Sequence, residues 1–414
     1  MKILVLGGGA REHAITKALI RTGTSAAEII VAPGNAGIAL EVEVEPGLDA
    51  NDPLEVVKFA LSREIDLAVI GPEAPLVAGV TDALRSQGIA VFGPSQEAAA
   101  LEGSKSFAKE VMAAAGVPTA MARECSTFEQ VEDALNEFGA PYVVKADGLA
   151  AGKGVIVTSD RDAAVTHAKK FIGMGILVEE FLEGEEVSLF FLSDGKTVLP
   201  LSPAQDFKRA FDNDEGPNTG GMGAYSPLPW LPKDFIEEVE RTVAQPTVDQ
   251  LARMGTPFVG LLYCGLIVTP RGIRVIEFNA RFGDPETQVV LRRLVTPLAG
   301  LLHRAATGRL ADGASAQFSK DVAVTVVLAS EGYPERPAPD REITGITEDE
   351  HVHVCHASTV REGDELIATG GRVLSVVATA SNFASARKLA YENLAKIQLE
   401  GSHYRSDIAA KVSD

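Results

Sequence analysis

Short apolar runs alternate with helical patterns over the first 94 residues: KILVLG precedes a helical pattern at 11–22, EIIVAP one at 52–63, DLAVIG one at 75–87, and AVFG closes the series. Repeated βα units of this kind predict a parallel, doubly wound sheet, which binds ligands at the carboxyl ends of its strands. Three strand ends carry suitable strings, GGGAREH at 7–13, PGN at 33–35 and GPEAPL at 71–76. A helical stretch at 95–115 leads to a smaller α/β segment, 117–186, with the strand YVVKAD and the glycine-rich turn GLAAGKG at 148–154. Strands dominate again to residue 320 (EVSLFFL, TVLPL, FVGLLYCGLIV, IRVIEFN), around a polar stretch at 206–227, DFKRAFDNDEGPNTGGMGAYSP, too polar and glycine-rich to be core. A loop of that length in a compact protein is usually functional or disordered. After YPERPAP at 333–339 come short strands and one helix, 382–398.

The predicted class is therefore α/β with an α+β centre, in three parts: 1–100, 101–325 with 117–186 as a subdomain, and a small mixed C-terminal part, 326–414. A chain of 414 residues exceeds what one core usually organises, so several domains are expected. The net charge of −19 opposes a polyanionic partner, which needs a broad basic surface, so neither nucleic acid nor an anionic membrane is expected. A small phosphorylated substrate stays open, because clustered Lys and Arg make a pocket locally positive. The N-terminal apolar run stops at Gly7 and charge returns at Arg11, so no export signal is read, and no apolar stretch reaches the roughly 20 residues of a membrane span. Cys125, Cys264 and Cys355 are far apart and odd in number, as for reduced cytosolic thiols, and a cytoplasmic location is expected.

Several strings carry chemistry. Gly7-x-Gly9-x-x-Glu12 lacks the third glycine of a dinucleotide fingerprint and puts a carboxylate where a pyrophosphate would lie. It reads either as a tight strand-to-helix turn or as a small phosphate or sugar contact. GLAAGKG is not a Walker loop: Gly148 and Gly152 are too close, and Gly154 replaces the Ser or Thr that would hold magnesium. Its small residues nevertheless let backbone N–H groups face phosphate oxygens, and Lys145 on the preceding strand supplies an ammonium. EEFLEGEE at 179–186 reads as an adenine hinge or as a solvated strand end. In VIEFNARFGDPETQ at 275–288, Glu277 and Asn279 alternate with Ile276 and Phe278, placing two oxygens on one face as hard magnesium ions require. Arg281 continues that alternation with a fork suited to carboxylate or phosphate, and Asp284 and Glu286 flank Pro285 near a helix start. HVHVCH at 351–356 alternates His351, His353 and Cys355 on one face, without the spacing of a known zinc motif, and is read as a strand.

These strings, with APGNAG, FGPS, EGSKSFAK, GPNTGGMGAYSP and GGRVLSV, resemble the glycinamide ribonucleotide synthetase family of the ATP-grasp superfamily along the whole chain. The resemblance implies an N-terminal substrate-binding domain, a central ATP-grasp domain with a lid, and a C-terminal domain. It also implies a ligase of de novo purine biosynthesis that joins glycine to 5-phosphoribosylamine through glycyl phosphate. ATP would be co-substrate and magnesium the metal, with manganese as the alternative. The family's pattern assigns Lys105, Lys145, Gly148, Gly152, Lys153 and Gly154 to ATP phosphates, Glu179, Phe181 and Leu182 to adenine, and Glu186 to ribose. Glu277 and Asn279 would hold metal. Asp212, Asn218, Arg281, Asp284 and Glu286, with Arg11, Asn35 and Glu73, would surround glycine and the phosphoribosyl group, and Arg281, Lys145 and Asp284 would be catalytic. One departure is the short link FIGMGILVEEF before the hinge strand, which implies altered lid motion or packing. The expected partners are these small molecules, on a monomer or weak oligomer. Rival readings are another ATP-grasp ligase or carboxylase of purine synthesis, an NAD-dependent oxidoreductase, and a non-catalytic nucleotide-binding protein, which the intact Lys145, Glu277 and Asn279 oppose.

Overall fold

In a computed structural model, residues 1–148 and 154–413 are described. The N-terminal apolar runs form β1 (Ile3–Gly7), β2 (Ile29–Pro33), β3 (Glu43–Val44), β4 (Leu67–Ile70) and β5 (Ala90–Phe92), a parallel sheet of order β3-β2-β1-β4-β5. Nearly every residue of β1, β2 and β4 is buried, which is why they read as continuous apolar runs rather than as alternations. Strand order reverses between β1 and β4, so the GGGAREH and GPEAPL turns come side by side at the crevice where such sheets take ligands. The expected helix 75–87 is two helices, Glu73–Val77 and Val80–Ser86, broken at Gly79, whose φ of +81° suits glycine. Likewise 95–115 divides into Gln96–Gly103 and Lys105–Ala115, the second capped by the Ser104 hydroxyl.

The subdomain is an antiparallel sheet of β6 (Ala122–Cys125), β7 (Tyr142–Ala146), β8 (Val155–Thr158) and β9 (Ile176–Glu179), ordered β6-β9-β7-β8, with its own small core beneath two helices. The short link before β9 is a single 3₁₀ turn, Ile172–Met174. A second antiparallel sheet holds Val198–Pro200, Glu185–Asp194, Val259–Thr269 and Gly272–Asn279 in that spatial order. It lies close to the N-terminal sheet at Gly260, where a Cβ would come within 2.9 Å of Pro94.

The third large sheet spans position 325/326, where the C-terminal part is expected to begin. Gln205–Asp206 and Gly223–Ser226, from the polar stretch, pair through Val322–Ala329 with Arg372–Ala380 and Val352–His356, so a strand crosses that position and the central and C-terminal segments share one sheet. The remainder of the polar stretch is a hairpin, Arg209–Phe211 with Glu215–Asn218, fastened to the C-terminal segment by Arg405, which contacts Asp214 at 2.8 Å and Asp407 at 2.7 Å.

Candidate functional site

Glu277 and Asn279 reach the cleft through an irregularity that the sequence pattern conceals. Along Gly272–Asn279, Ile273 and Val275 are buried, so strict alternation would send Glu277 and Asn279 into the core as well. In the pairing with Val259–Thr269, Leu266 faces Val275 while Gly265 faces Glu277, leaving Ile276 without a partner. This β-bulge reverses the parity: Phe278 turns inward, 3% exposed, and Glu277 and Asn279 face out. Glycine at 265 makes room, since a Cβ there would lie 3.1 Å from Glu277 Cγ. The Ile276 carbonyl accepts a hydrogen bond from Lys145 Nζ at 3.2 Å.

Lys145, on β7, is 5% exposed, and its ammonium is 2.7 Å from Glu179 at the end of β9. Lys109, on the helix Lys105–Ala115, approaches the other Glu179 oxygen at 3.0 Å. Burial would raise the Glu179 pKa, but the two lysines outweigh it and hold the carboxyl below its ordinary value. The Glu179 side chain is thus committed to lysines rather than free for a base. Lys105 donates to the Gly148 carbonyl at 3.1 Å, and burial, with Lys145 beside it, lowers its pKa although Glu277 partly compensates. Asp147 caps the same helix by accepting from the Lys105 amide at 2.6 Å. Gly152 and Lys153 lie outside the described residues, and Gly154 is buried beside them, its carbonyl accepting from Ala146 at 2.7 Å. Phe181 is exposed and Leu182 partly so, in the connection after β9. Glu186 is 2.6 Å from Lys208, whose charge holds its carboxyl low.

Arg281 gathers a second group. Its Nη2 is 3.2 Å from Glu102, and Nε faces Glu73 at 3.5 Å without hydrogen-bond geometry. Burial opposes its charge, but Glu102 and Glu73 more than offset this and push its pKa up. Arg11, from the turn after β1, donates to the Phe282 carbonyl at 3.1 Å and contacts Glu12 at 2.6 Å. The Glu12 carboxylate also accepts from the Gly9 amide at 2.7 Å, filling the helix N-terminus where a dinucleotide phosphate would sit and favouring the tight-turn reading. Glu286, 3% exposed, accepts from Tyr263 at 2.7 Å and from Ser188 at 3.1 Å. Around it lie Lys208 and Asp206, whose carboxyl is raised by burial and by the neighbouring Glu286, Glu186 and Glu277 against the pull of Lys208.

Three expected substrate residues make contacts within the protein. Asp212 accepts from the Ser406 amide at 2.7 Å and belongs to the hairpin anchor. Asn218 is exposed on the same hairpin, beside Arg209. Asn35 has both ends engaged: it donates to the Gly8 and His356 carbonyls and accepts from the Gly37 and Ile38 amides, fastening these loops together. Asp284, expected to be catalytic, also has both oxygens taken, by Arg372 at 2.9 Å and Gln288 at 2.7 Å. Arg372 also donates to the Gly220 and Asp284 carbonyls, each at 2.8 Å, tying the GGRVLSV strand to the GPNTGGMG loop. Lys109, Glu102, Asp206, Lys208, Tyr263, Ser188 and Arg372 were not singled out from the sequence. Lys109, Glu102, Asp206, Lys208 and Arg372 lie in the strings EGSKSFAK, DFKRAF and GGRVLSV, whereas Tyr263 and Ser188 sit in apolar strands and give no such signal. Among the described residues no three His, Cys, Asp or Glu side chains are arranged as a metal cluster, so His351, His353 and Cys355 form none there, and a cation between Glu277 and Asn279 would draw its other oxygens from phosphates and water.

Residues 1–102, 103–287 and 323–411 match, respectively, the N, ATP-grasp (A) and C domains of phosphoribosylglycinamide synthetase. A phosphoribosylamine-glycine ligase from Leifsonia xyli is 63% identical over 99% of this chain and 100% of its own length. The crystal structure of a phosphoribosylamine-glycine ligase from Thermotoga maritima, 31% identical, covers 99% of this chain and 100% of that one with a TM-score of 0.85. The biotin carboxylase domain of a Hydrogenobacter thermophilus 2-oxoglutarate carboxylase shares the fold at a TM-score of 0.70 and 18% identity, covering 97% of this chain and 91% of that one.

Proposed function

From the premise that this chain belongs to the phosphoribosylglycinamide synthetase family, and is an ATP-dependent ligase joining glycine to phosphoribosylamine in de novo purine synthesis, we propose how the cleft divides that work. The observation that carries the division is the convergence of Lys145, Lys105 and the outward-facing Glu277 and Asn279 on one cleft wall. Lys145 and Lys105 bind the nucleotide phosphates, with Gly148 and Gly154 beside them. Phe181 and Leu182 lie against adenine, and Glu186 meets the ribose.

Glu277 and Asn279 offer hard oxygen donors that fit magnesium, which when bound spreads the charge of the phosphates during transfer. Manganese would suit the same donors.

Arg281 takes the glycine carboxylate, because a planar fork held by Glu102 and Glu73 is already oriented for two-point contact. A carboxylate oxygen attacks the γ-phosphorus, the bond to the departing ADP breaks, and glycyl phosphate forms. The phosphoribosylamine nitrogen then attacks the activated carbonyl and phosphate leaves with the bonding electron pair. Direct amide formation would have to expel oxide, and phosphorylation supplies a competent leaving group instead. Arg11 and Glu73, at the strand ends of the parallel sheet beside Arg281, face the phosphoribosyl group. The β6–β9 sheet acts as the lid that excludes water from the acyl phosphate.

The deciding experiment is an ADP-release assay in which ATP, glycine and freshly generated phosphoribosylamine are each omitted in turn. Full turnover requires all three, and turnover that ignores glycine would remove this reading.

A further inference from the structure

Resting on that reading of the reaction, one step still lacks an agent: the amine becomes positively charged as it adds to the carbonyl and must lose a proton before phosphate departs. Glu286 is the buried carboxylate of the cleft with a geometry suited to that task. It begins the helix Glu286–Arg293, directly after the loop that carries Arg281, and its charge is felt by Arg281. Its two oxygens are unequal. Oε1 accepts from the Tyr263 hydroxyl at 2.7 Å and from Ser188 at 3.1 Å, and these hydroxyls lie 2.8 Å from each other, so the three groups lock one carboxylate edge. Oε2 takes no hydrogen bond among the described residues, yet it is not a fully buried unpartnered atom. It lies against Gly283, where a Cβ would come 2.6 Å from it, so glycine at 283 leaves that oxygen room. Tyr263 faces Asn279 in strand register, which puts the lock beside the metal-facing wall.

We propose that Glu286 Oε2 takes the proton from the phosphoribosylamine nitrogen as the C–N bond forms, with Tyr263 and Ser188 as positioning residues that fix Oε1. The balance is simple: nitrogen gives one proton to Oε2, the carbonyl electrons return to form the amide, and the C–O bond to phosphate breaks with its pair on phosphate. The new carboxylic acid returns its proton to the departing phosphate or to water. Asp206 is the competing carboxylate, but it sits within the fields of Lys208, Glu186 and Glu277 and lacks the two-hydroxyl lock. The titratable groups facing Glu286 are Tyr263, Asp206 and Arg281, and Lys208 and Glu277 act in turn on Tyr263 and Asp206.

The test separates the two half-reactions in the full-length enzyme. Glycine activation is read as ATP-dependent glycine hydroxamate formed in high hydroxylamine, and ligation as product formed from freshly generated phosphoribosylamine. Glu286→Gln should slow ligation by about 10²–10³, the usual weight of a positioned base, while hydroxamate formation changes only a few-fold. Formate should restore part of the ligation rate of Glu286→Ala. Tyr263→Phe, which keeps the ring packing, should slow ligation roughly tenfold through kcat with little change in KM for phosphoribosylamine, again sparing the hydroxamate. Equal loss of both half-reactions in Glu286→Gln, or ligation within threefold of native, would overturn the proposal. Native enzyme that forms no hydroxamate would instead remove the acyl-phosphate reading beneath it, whatever the variants do.

Discussion

Replacing Glu179 by Gln removes one charge and almost no volume, and it strands two ammonium groups. Glu179 is 4% exposed, and its oxygens lie 2.7 Å from Lys145 on the neighbouring strand β7 and 3.0 Å from Lys109 on the helix Lys105–Ala115. Breaking a buried pair by removing one partner costs about 3–5 kcal/mol, because the remaining charge keeps its desolvation penalty and loses its compensation. The loss belongs to the junction between the β6–β9 sheet and that helix, so native-state hydrogen exchange of the β7 and β9 amides is the suitable assay. At 1.36 kcal/mol per decade, their opening should become between about 10²- and 10⁴-fold more frequent in the nucleotide-free enzyme. Glu137→Gln is the control within the same subdomain: its pair with Arg123 at 2.7 Å is half exposed on both sides and should contribute under about 1 kcal/mol. Because the folded Glu179 pKa is depressed, its contribution is complete above the ordinary value of 4.5 and disappears only as pH falls through the lower folded value. The difference between native and variant should therefore be flat from about pH 6 to 8. ATP, whose phosphates offer the stranded lysines new partners, should recover part of the loss. An effect of Glu179→Gln no larger than that of Glu137→Gln would refute the reasoning.

Glu277→Ala and Asn279→Ala should each lower kcat by about 10²–10³ without disturbing the fold, and raised magnesium should partly rescue them in steady-state assays. Arg281→Lys should raise KM for glycine more than KM for ATP, since an ammonium cannot reproduce the two-point fork. Glycine labelled with ¹⁸O in both carboxylate oxygens should transfer one label per turnover to inorganic phosphate, read by mass spectrometry; unlabelled phosphate alongside normal product excludes glycyl phosphate. His356 is buried between His13 and Thr359, and burial lowers its pKa from 6.5 to about 3, so its neutral form is complete above 6.5 and stability falls as pH drops below that value. By pH 4 the loss from this residue should approach about 3 kcal/mol, and His356→Gln should flatten the acid limb of urea-denaturation stability against pH by close to one proton.

Legibility in the sequence followed the physics of each element. Strands buried on both faces announce themselves as apolar runs, and the glycine-rich strand ends follow from tight turns, so the N-terminal sheet was readable. The break at Gly79 was not, because the apolar positions on either side keep a helical spacing across it. Lys145 stood out as a cation within an apolar strand. Lys109 and Glu102 sit on helices where charge ordinarily means a solvated face, and only tertiary packing turns them inward. Gln205–Asp206 looked like loop because a two-residue strand has no periodicity to display, yet its pairing with Ala224 and Tyr225 is what carries Asp206 into the cleft. Asp212, Asn35 and Asp284 were assigned through the family resemblance, and their partners, Ser406, His356 and Arg372, lie between 88 and 321 residues away. No local pattern records such distances.

The unpaired residue at 276 has a meaning for mutation that differs from that of its neighbours. Its side chain is only half buried and its carbonyl, which every amino acid shares, makes the contact with Lys145, so many substitutions there should be tolerated. Deleting the residue would be another matter. Val275 would then run straight into Glu277 in regular pleating, so Phe278 would stay inward and Glu277 and Asn279 outward, while the bulge and the carbonyl that meets Lys145 would be lost. Inversion would come instead from flattening the bulge with residue 276 retained, so what descent must preserve while that residue is there is the irregularity, not the identity of the side chain.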